Sequence, residues 1–403
     1  MSQGTEVAIV GGGPAGSALA IQLVRAGREV VLLERSDEPA WRACGVFASP
    51  AAVGRLRALG LTMPDLATLA RPIPAMRVET PGGTSFRLTY GDNGSLADPA
   101  VGFDRPALDR MLLAEAEAAG AVVLRGCTVI RVDLDATERR LAVRSDRGEE
   151  SIRTRLVVGA DGIRSLVARS AGVVARTMFG GRIGLTFHAA DPEPKMVRDA
   201  RMVVIRGAYC GLAPVPAGRV NVGIVLASGR WRERLAHAGA RPVVSDVLGS
   251  IPGADDDPVN WAAAEHCDEI VGASPVGHRV RRRAGDGWIL VGDAAGFLDP
   301  FTGEGLHRAL VSSALAAAAI DDHLESGASL AEYERAMSAR FRAKDATTLL
   351  VQSFLARPSA FEYAARRLAA RRDVRETMGL VIGDLLPASR ALDPRFLARL
   401  LRP

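Results

Sequence analysis

The chain has 403 residues, 48% hydrophobic and 24% charged, more than one typical domain holds and enough to bury a large core. Its net charge of +5 comes from arginine, with Lys195 and Lys344 the only lysines, and the basic clusters at Arg279 to Arg283 and Arg366 to Arg372 carry no interleaved aromatics. That pattern is expected of a solvated surface rather than a nucleic-acid platform. No apolar run approaches the ~18 residues of a transmembrane segment and no basic leader precedes the first one, so a cytoplasmic location is expected. Cys44, Cys127, Cys210 and Cys267 are widely separated with no C-x-x-C pair, which argues for reduced thiols and against a structural zinc site.

In chain order, Glu6 to Val10 is a short apolar run that predicts a strand, followed by Gly11-Gly12-Gly13-Pro14-Ala15-Gly16. Ser17 to Ala26 has helical patterning closed by Gly27, and Val30 to Leu33 reads as a second strand ending at Glu34 and Arg35. Gly11, Gly13 and Gly16 thus hold the G-x-G-x-x-G positions between a strand and a helix. There the turn, with Pro14 and Ala15 in it, brings backbone N–H groups and a helix N-terminus to a pyrophosphate. Glu34 can accept hydrogen bonds from both ribose hydroxyls of an adenosine and disfavours a 2′-phosphate; Arg35 beside it joins the cofactor-binding candidates. The combination predicts a dinucleotide without distinguishing FAD from NAD.

Further on, Ala107 to Ala119 predicts a helix closed by Gly120, Ala121 to Arg125 a strand, and Leu156 to Gly159 a buried strand. Between Arg71 and Asp104, and from Ile183 to Val225, shorter strands with Gly, Pro and Asn turns predict a separate, inserted sheet. From Ala309 to Ala343, and again around Pro358 to Leu401, the patterning is helical, with apolar Leu349, Leu350, Phe354 and Leu355 predicting a packed tail.

Two segments carry a family resemblance. Leu156-Val157-Val158-Gly159-Ala160-Asp161-Gly162-Ile163-Arg164-Ser165 resembles the Asp-Gly fingerprint of para-hydroxybenzoate-hydroxylase-like flavoproteins, and Gly287-Trp288-Ile289-Leu290-Val291-Gly292-Asp293-Ala294-Ala295-Gly296 resembles their Gly-Asp fingerprint. With the glycine turn, three motifs in order span most of residues 6 to 310. The resemblance implies FAD. Asp293, after Gly292, would accept hydrogen bonds from the ribityl hydroxyls, or else cap a helix. Asp161 would be structural or lie near FAD or NAD(P)H, and Arg105 matches a family arginine near the FAD pyrophosphate. After Asp293, Pro300 breaks the chain, and Gly303 and Gly305 let the backbone at the helix start, including Leu306, face the isoalloxazine, where a positive helix end stabilises reduced flavin.

Arg42-Ala43-Cys44-Gly45-Val46-Phe47-Ala48-Ser49-Pro50 resembles a Cys-Gly loop that lies near the flavin in geranylgeranyl-reductase-like proteins. Their substrate-sheet pattern Tyr-x-Trp-x-Phe-Pro stands here as Tyr209-Cys210-Gly211-Leu212-Ala213-Pro214, with both bulky aromatics replaced. Cys44 and Gly45 are therefore cofactor-binding candidates, and Phe47, Tyr209 and Pro300 catalytic ones. His188 and Cys210 are further residues able to face the flavin or substrate, although His188 and His307 also read as structural histidines. No metal site is expected.

The leading expectation is an NAD(P)H-dependent monooxygenase that uses molecular oxygen, through a C4a-hydroperoxyflavin, to hydroxylate or epoxidise a hydrophobic aromatic or polyketide-type metabolite. The alternatives are a reductase or dehydrogenase acting on a lipophilic alkene or quinone, and a non-catalytic flavin-binding protein. The Trp-x-Trp-x-Ile-Pro signature of tryptophan halogenases is absent. With one G-x-G-x-x-G site, NAD(P)H would bind transiently. The expected fold is α/β: a doubly wound FAD-binding domain (1–70, 101–180, 275–325), an inserted antiparallel-sheet substrate domain (71–100, 181–274) and a helical C-terminal region (326–403).

Overall fold

A computed structural model describes residues 4–90, 99–134, 138–177, 181–227, 229–251 and 259–402; the turn expected around Asn93 and parts of the expected 71–100 and 181–274 ranges lie outside the described residues. The fold is α/β, built on two large sheets and a small one joining them.

The first sheet runs Ala284–Gly285, Trp288–Leu290, Gly148–Gly159, Thr5–Val10, Val30–Leu33, Val122–Leu124 along its main path. From Trp288–Leu290 to Val122–Leu124 every pairing is parallel, and the apolar centre of this stretch, at Val7 to Val10, Leu32, Leu33 and Leu156 to Val158, is buried. Helices Pro14–Arg25, Arg105–Ala119 and Gly305–Ser326 pack together over it. The strand expected at Leu156 to Gly159 is the end of a longer one, Gly148–Gly159, whose charged first half pairs antiparallel with Arg139–Ser145, and that strand with Thr128–Asp133. Charges on an exposed hairpin leave no apolar signal to read.

The second sheet runs Val271–Ala273, Ile183–Ala190, Arg219–Leu226, Ala208–Val215, Ala200–Ile205, Ala75–Glu79, Ser85–Thr89. It is antiparallel except where Ala200–Ile205 meets Ala75–Glu79 in parallel. Its back face buries Phe187, Cys210, Leu212 and Val222 against Trp231, Val243 and Val247 of helices Gly229–Ala238 and Ala240–Leu248. Its front face places Met76, Phe86, Met202 and Tyr209 against Phe361, Leu368, Val381 and Phe396 from the C-terminal helices Pro358–Ala370, Arg372–Ile382 and Pro394–Leu401. The helical run expected from Ala309 to Ala343 is two helices, Gly305–Ser326 and Ala331–Leu355, because Gly327 turns left-handed at φ 73°.

The small sheet pairs Phe47–Ala48 and Ala70–Pro72 with Val101–Phe103 between the two halves. Gly102 lies so close to the Pro214 carbonyl that no side chain fits there, which holds the small sheet tight against the second sheet.

Candidate active site

At the adenosine end, Gly13 opens the first helix and a Cβ added to it would meet nothing within 4 Å, so the turn leaves room at the helix N-terminus. Pro14 occupies the first helical turn, where its missing N–H costs nothing, and Ala15 and Gly16 are buried behind it. Gly11 adopts φ 108°, open to glycine alone without strain.

Glu34 is 3% exposed and its carboxylate accepts from Gly12 N at 2.9 Å, Ser36 N at 3.1 Å and Arg42 Nη2 at 2.8 Å. Burial pushes this carboxyl up, but Arg42 and the two backbone N–H groups outweigh it and hold it below the usual carboxylate range. Of about four acceptor positions on a carboxylate, one stays free for a ribose hydroxyl. Arg35 beside it is exposed.

Arg105 opens the helix Arg105–Ala119, in which Asp104 caps Ala107 N at 3.1 Å. Its Nη1 donates to Gly45 O at 2.5 Å and its Nη2 to Asp109 at 3.2 Å, fixing the Cys44–Gly45 loop against the helix, while its buried Nε has no partner. Gly45 faces open space on its Cβ side. Burial raises the Cys44 thiol, so a reactive thiolate is not the resting form.

Asp293 lies in the single turn Gly292–Ala295 that follows the strand Trp288–Leu290, and Gly292 N donates to Ser312 Oγ at 2.8 Å. Burial pushes the Asp293 carboxyl up to about 6 against the opposing pull of Arg105 and Arg308. No side chain or backbone group among the described residues donates to it. A half-buried carboxylate without donors fits a cofactor bearing hydroxyls, and the orphaned Arg105 Nε fits a pyrophosphate oxygen; with the open turn at Gly13, these features suit FAD along its length. Asp161 instead accepts from Leu166 N at 2.6 Å and Val167 N at 3.3 Å, bracing the helix Leu166–Ser170, with its other oxygen buried and unpartnered.

Past Asp293, the short turn Pro300–Thr302 leads through Gly303, at φ 66°, to the helix beginning at Gly305. Phe47 packs so closely on Gly303 that a Cβ there would overlap its ring, and the Leu306 side chain is buried. Sequence reading missed the residue that organises this turn. Asp299 is 0% exposed and accepts from Tyr209 Oη at 2.6 Å, Gln352 Nε2 at 2.7 Å and Phe301 N at 3.0 Å, besides pairing with Arg182. Phe301 meets the Tyr209 ring edge-on at 5.2 Å. Tyr209, expected to be catalytic, has its hydroxyl committed to Asp299 and, by burial first, raised well above its ordinary range.

A second buried network was also missed. Lys344 pairs with Asp384 at 2.7 Å, Asp384 accepts from Ser49 Oγ at 2.8 Å, and Glu304 meets Arg308 at 3.3 Å. It ties the C-terminal helices to the start of the helix Gly305–Ser326.

Strand parity sorts the substrate-sheet candidates. Cys210 lies on the back face at 0% exposure, so its reading as a pocket residue is overturned: it alternates with Tyr209 and points to the opposite core. On the front face the register builds cross-strand rows: Gly184, Val225, Tyr209; then Thr186, Gly223, Gly211; then His188, Asn221, Ala213. The middle row carries no side chain at two adjacent positions, Gly211 and Gly223, and both are only partly buried. His188 therefore stays on the candidate face.

Among known proteins, the chain is 31% identical over 331 residues to the menaquinone reductase of Mycolicibacterium smegmatis, covering 79% of this chain and 76% of that one. It is 29% identical over 346 residues to digeranylgeranylglycerophospholipid reductase 2 of Methanosphaera stadtmanae, covering 82% of each. The fold matches that of a flavoprotein/dehydrogenase from Cytophaga hutchinsonii with a TM-score of 0.81 at 18% identity, over 94% of this chain and 93% of that one. Residues 4–344 match the family described as FAD binding domain, and the chain belongs to that family as an FAD-dependent oxidoreductase.

Proposed function

We propose that this flavoprotein is a reductase that saturates a carbon–carbon double bond in a long isoprenoid lipid, taking its electrons from NAD(P)H. One observation carries the reading: the two relatives above, aligned over about four-fifths of the chain, are reductases whose named substrates both bear polyisoprenoid chains. The front of the second sheet suits such a ligand. Its floor is bare at Gly211 and Gly223, its surroundings are apolar through Met202, Val225, Phe47 and Phe301, and aromatic side chains there exclude water.

Bound FAD would supply hydride transfer, and NAD(P)H plus a proton would balance the two hydrogens added to the alkene. Glu34, Arg105 and Asp293 would hold the cofactor along its length. Asp299, with Tyr209, Gln352 and Arg182, would fix the turn at Pro300, and Phe47 would close the space beside Gly303. The hydroxylating reading implied by the fingerprints stands second. Anaerobic incubation of the FAD-loaded protein with NADPH or NADH and a geranylgeranyl lipid should yield a product heavier by two hydrogens. A product formed only in air and carrying an added oxygen atom would displace this reading.

A further inference from the structure

We infer that Trp41 and His188 form a polar subsite that binds the hydroxyl-bearing end of the lipid ligand, one row beyond the glycine floor. The class of ligand rests on the reductase reading; the subsite rests on geometry. His188 is 3% exposed, and Asp268 holds it at two points: His188 N donates to Asp268 Oδ1 at 2.7 Å, and Nδ1 lies 2.5 Å from Asp268 Oδ2. A carboxylate at that distance places the imidazole proton on Nδ1, leaving Nε2 as an acceptor. Nε2 is buried and has no partner.

The Trp41 ring lies beside it, centroids 4.2 Å apart at 51°, and the indole Nε1–H is likewise buried and unpartnered. Trp41 comes from the loop that leads to Cys44 and Gly45, whereas His188 comes from the second sheet, so the two orphans meet at the seam between the halves. Orphaned buried donors and acceptors are uncommon in native structures, and an adjacent pair of opposite kind is rarer still.

One hydroxyl satisfies both at once, donating to His188 Nε2 and accepting from Trp41 Nε1–H; an ether oxygen satisfies only the tryptophan. An anionic head is disfavoured, because Asp268 stands behind the imidazole and the nearby Arg219 is already paired with Asp104 at 2.7 Å. By register, His188 lies two residues along its strand from the Gly223–Gly211 row and four from the Tyr209 row, so a ligand headed at His188 would cross the glycine floor toward Asp299.

The test measures binding to the FAD-loaded protein by perturbation of flavin absorbance, with geranylgeraniol and its methyl ether as probes. The wild-type protein should prefer the alcohol by about tenfold, the effect of one satisfied buried hydrogen bond. His188→Leu should erase that preference, whereas Trp41→Phe should weaken both probes alike and keep it, each variant retaining flavin. Asp268→Asn is the sharper variant: an amide N–H facing Nδ1 moves the imidazole proton to Nε2, turning the acceptor into a donor, so the alcohol preference should vanish or invert. Equal affinity of the wild-type protein for both probes, binding of neither, a preference that survives His188→Leu or Asp268→Asn, or unchanged affinities in Trp41→Phe would overturn the subsite. A protein that binds with the expected preference yet reduces neither probe would overturn the reductase reading and leave the subsite standing.

Discussion

The two faces of the second sheet are built from the same strands and behave as different materials. On the back, Phe187, Cys210, Leu212 and Val222 interlock with Trp231, Val243 and Val247, bordered by His266 stacked on Phe187 and by the buried Arg201–Glu79 ion pair. On the front, the same strands present Gly211 and Gly223, a buried carboxylate bound to Tyr209 at one end, and an imidazole with an idle nitrogen at the other. Period-two alternation thus separates a face that stabilises from the face proposed to bind, residue by residue along one strand. Tyr209 and Cys210 are neighbours in sequence and belong to different jobs.

That contrast yields graded expectations. The largest concerns Asp299→Ala, which removes the carboxylate facing Arg182 and leaves the buried Tyr209 hydroxyl without its acceptor; thermal or chemical denaturation should show a loss of about 3–5 kcal/mol together with weaker flavin retention. Leu212→Ala, on the back face, should cost about 2–4 kcal/mol of stability and leave the alcohol-over-ether preference intact. Gly223→Val should do the reverse, changing stability by no more than ~1 kcal/mol while weakening lipid binding by more than about tenfold, as read by titration of the flavin absorbance. If Leu212→Ala altered ligand preference, or Gly223→Val left it untouched, the division between the faces would fail.

The smallest expected effect is a pH dependence at Asp293. Its carboxyl is raised to about 6 in the folded chain, so in the cofactor-free protein it favours the fold only while protonated, and that contribution is lost as pH rises through about 6. Donors on bound FAD favour the ionised form, so FAD affinity should rise over the same interval. Asp293→Asn should flatten both profiles in thermal melts and FAD titrations; an unchanged pH profile in the variant would remove Asp293 from the cofactor site.

The FAD-binding half of the fold was legible because its sequence signal is local. The glycine turn, Glu34, Arg105 and Asp293 each sit at a strand end or helix start whose backbone geometry follows from a few adjacent residues. What escaped is long-range. Asp299 meets Tyr209 and Gln352, Lys344 meets Asp384, and His188 meets Asp268, and none of these partners is near the other in sequence. The helix Gly229–Ala238 escaped for another reason: arginine and glutamate fill much of it, and its apolar side is narrow, with Trp231 its one buried residue. The hairpin strand Arg139–Ser145 and the first half of Gly148–Gly159 were hidden by their charges.

The most direct test of the account is product analysis from the FAD-loaded protein, supplied with NADPH or NADH and a geranylgeranyl lipid in the absence of oxygen. The account predicts a product enlarged by two hydrogens, with one double bond lost and matching oxidation of the nicotinamide. Nicotinamide oxidation that requires oxygen and leaves every double bond of the lipid intact would contradict it.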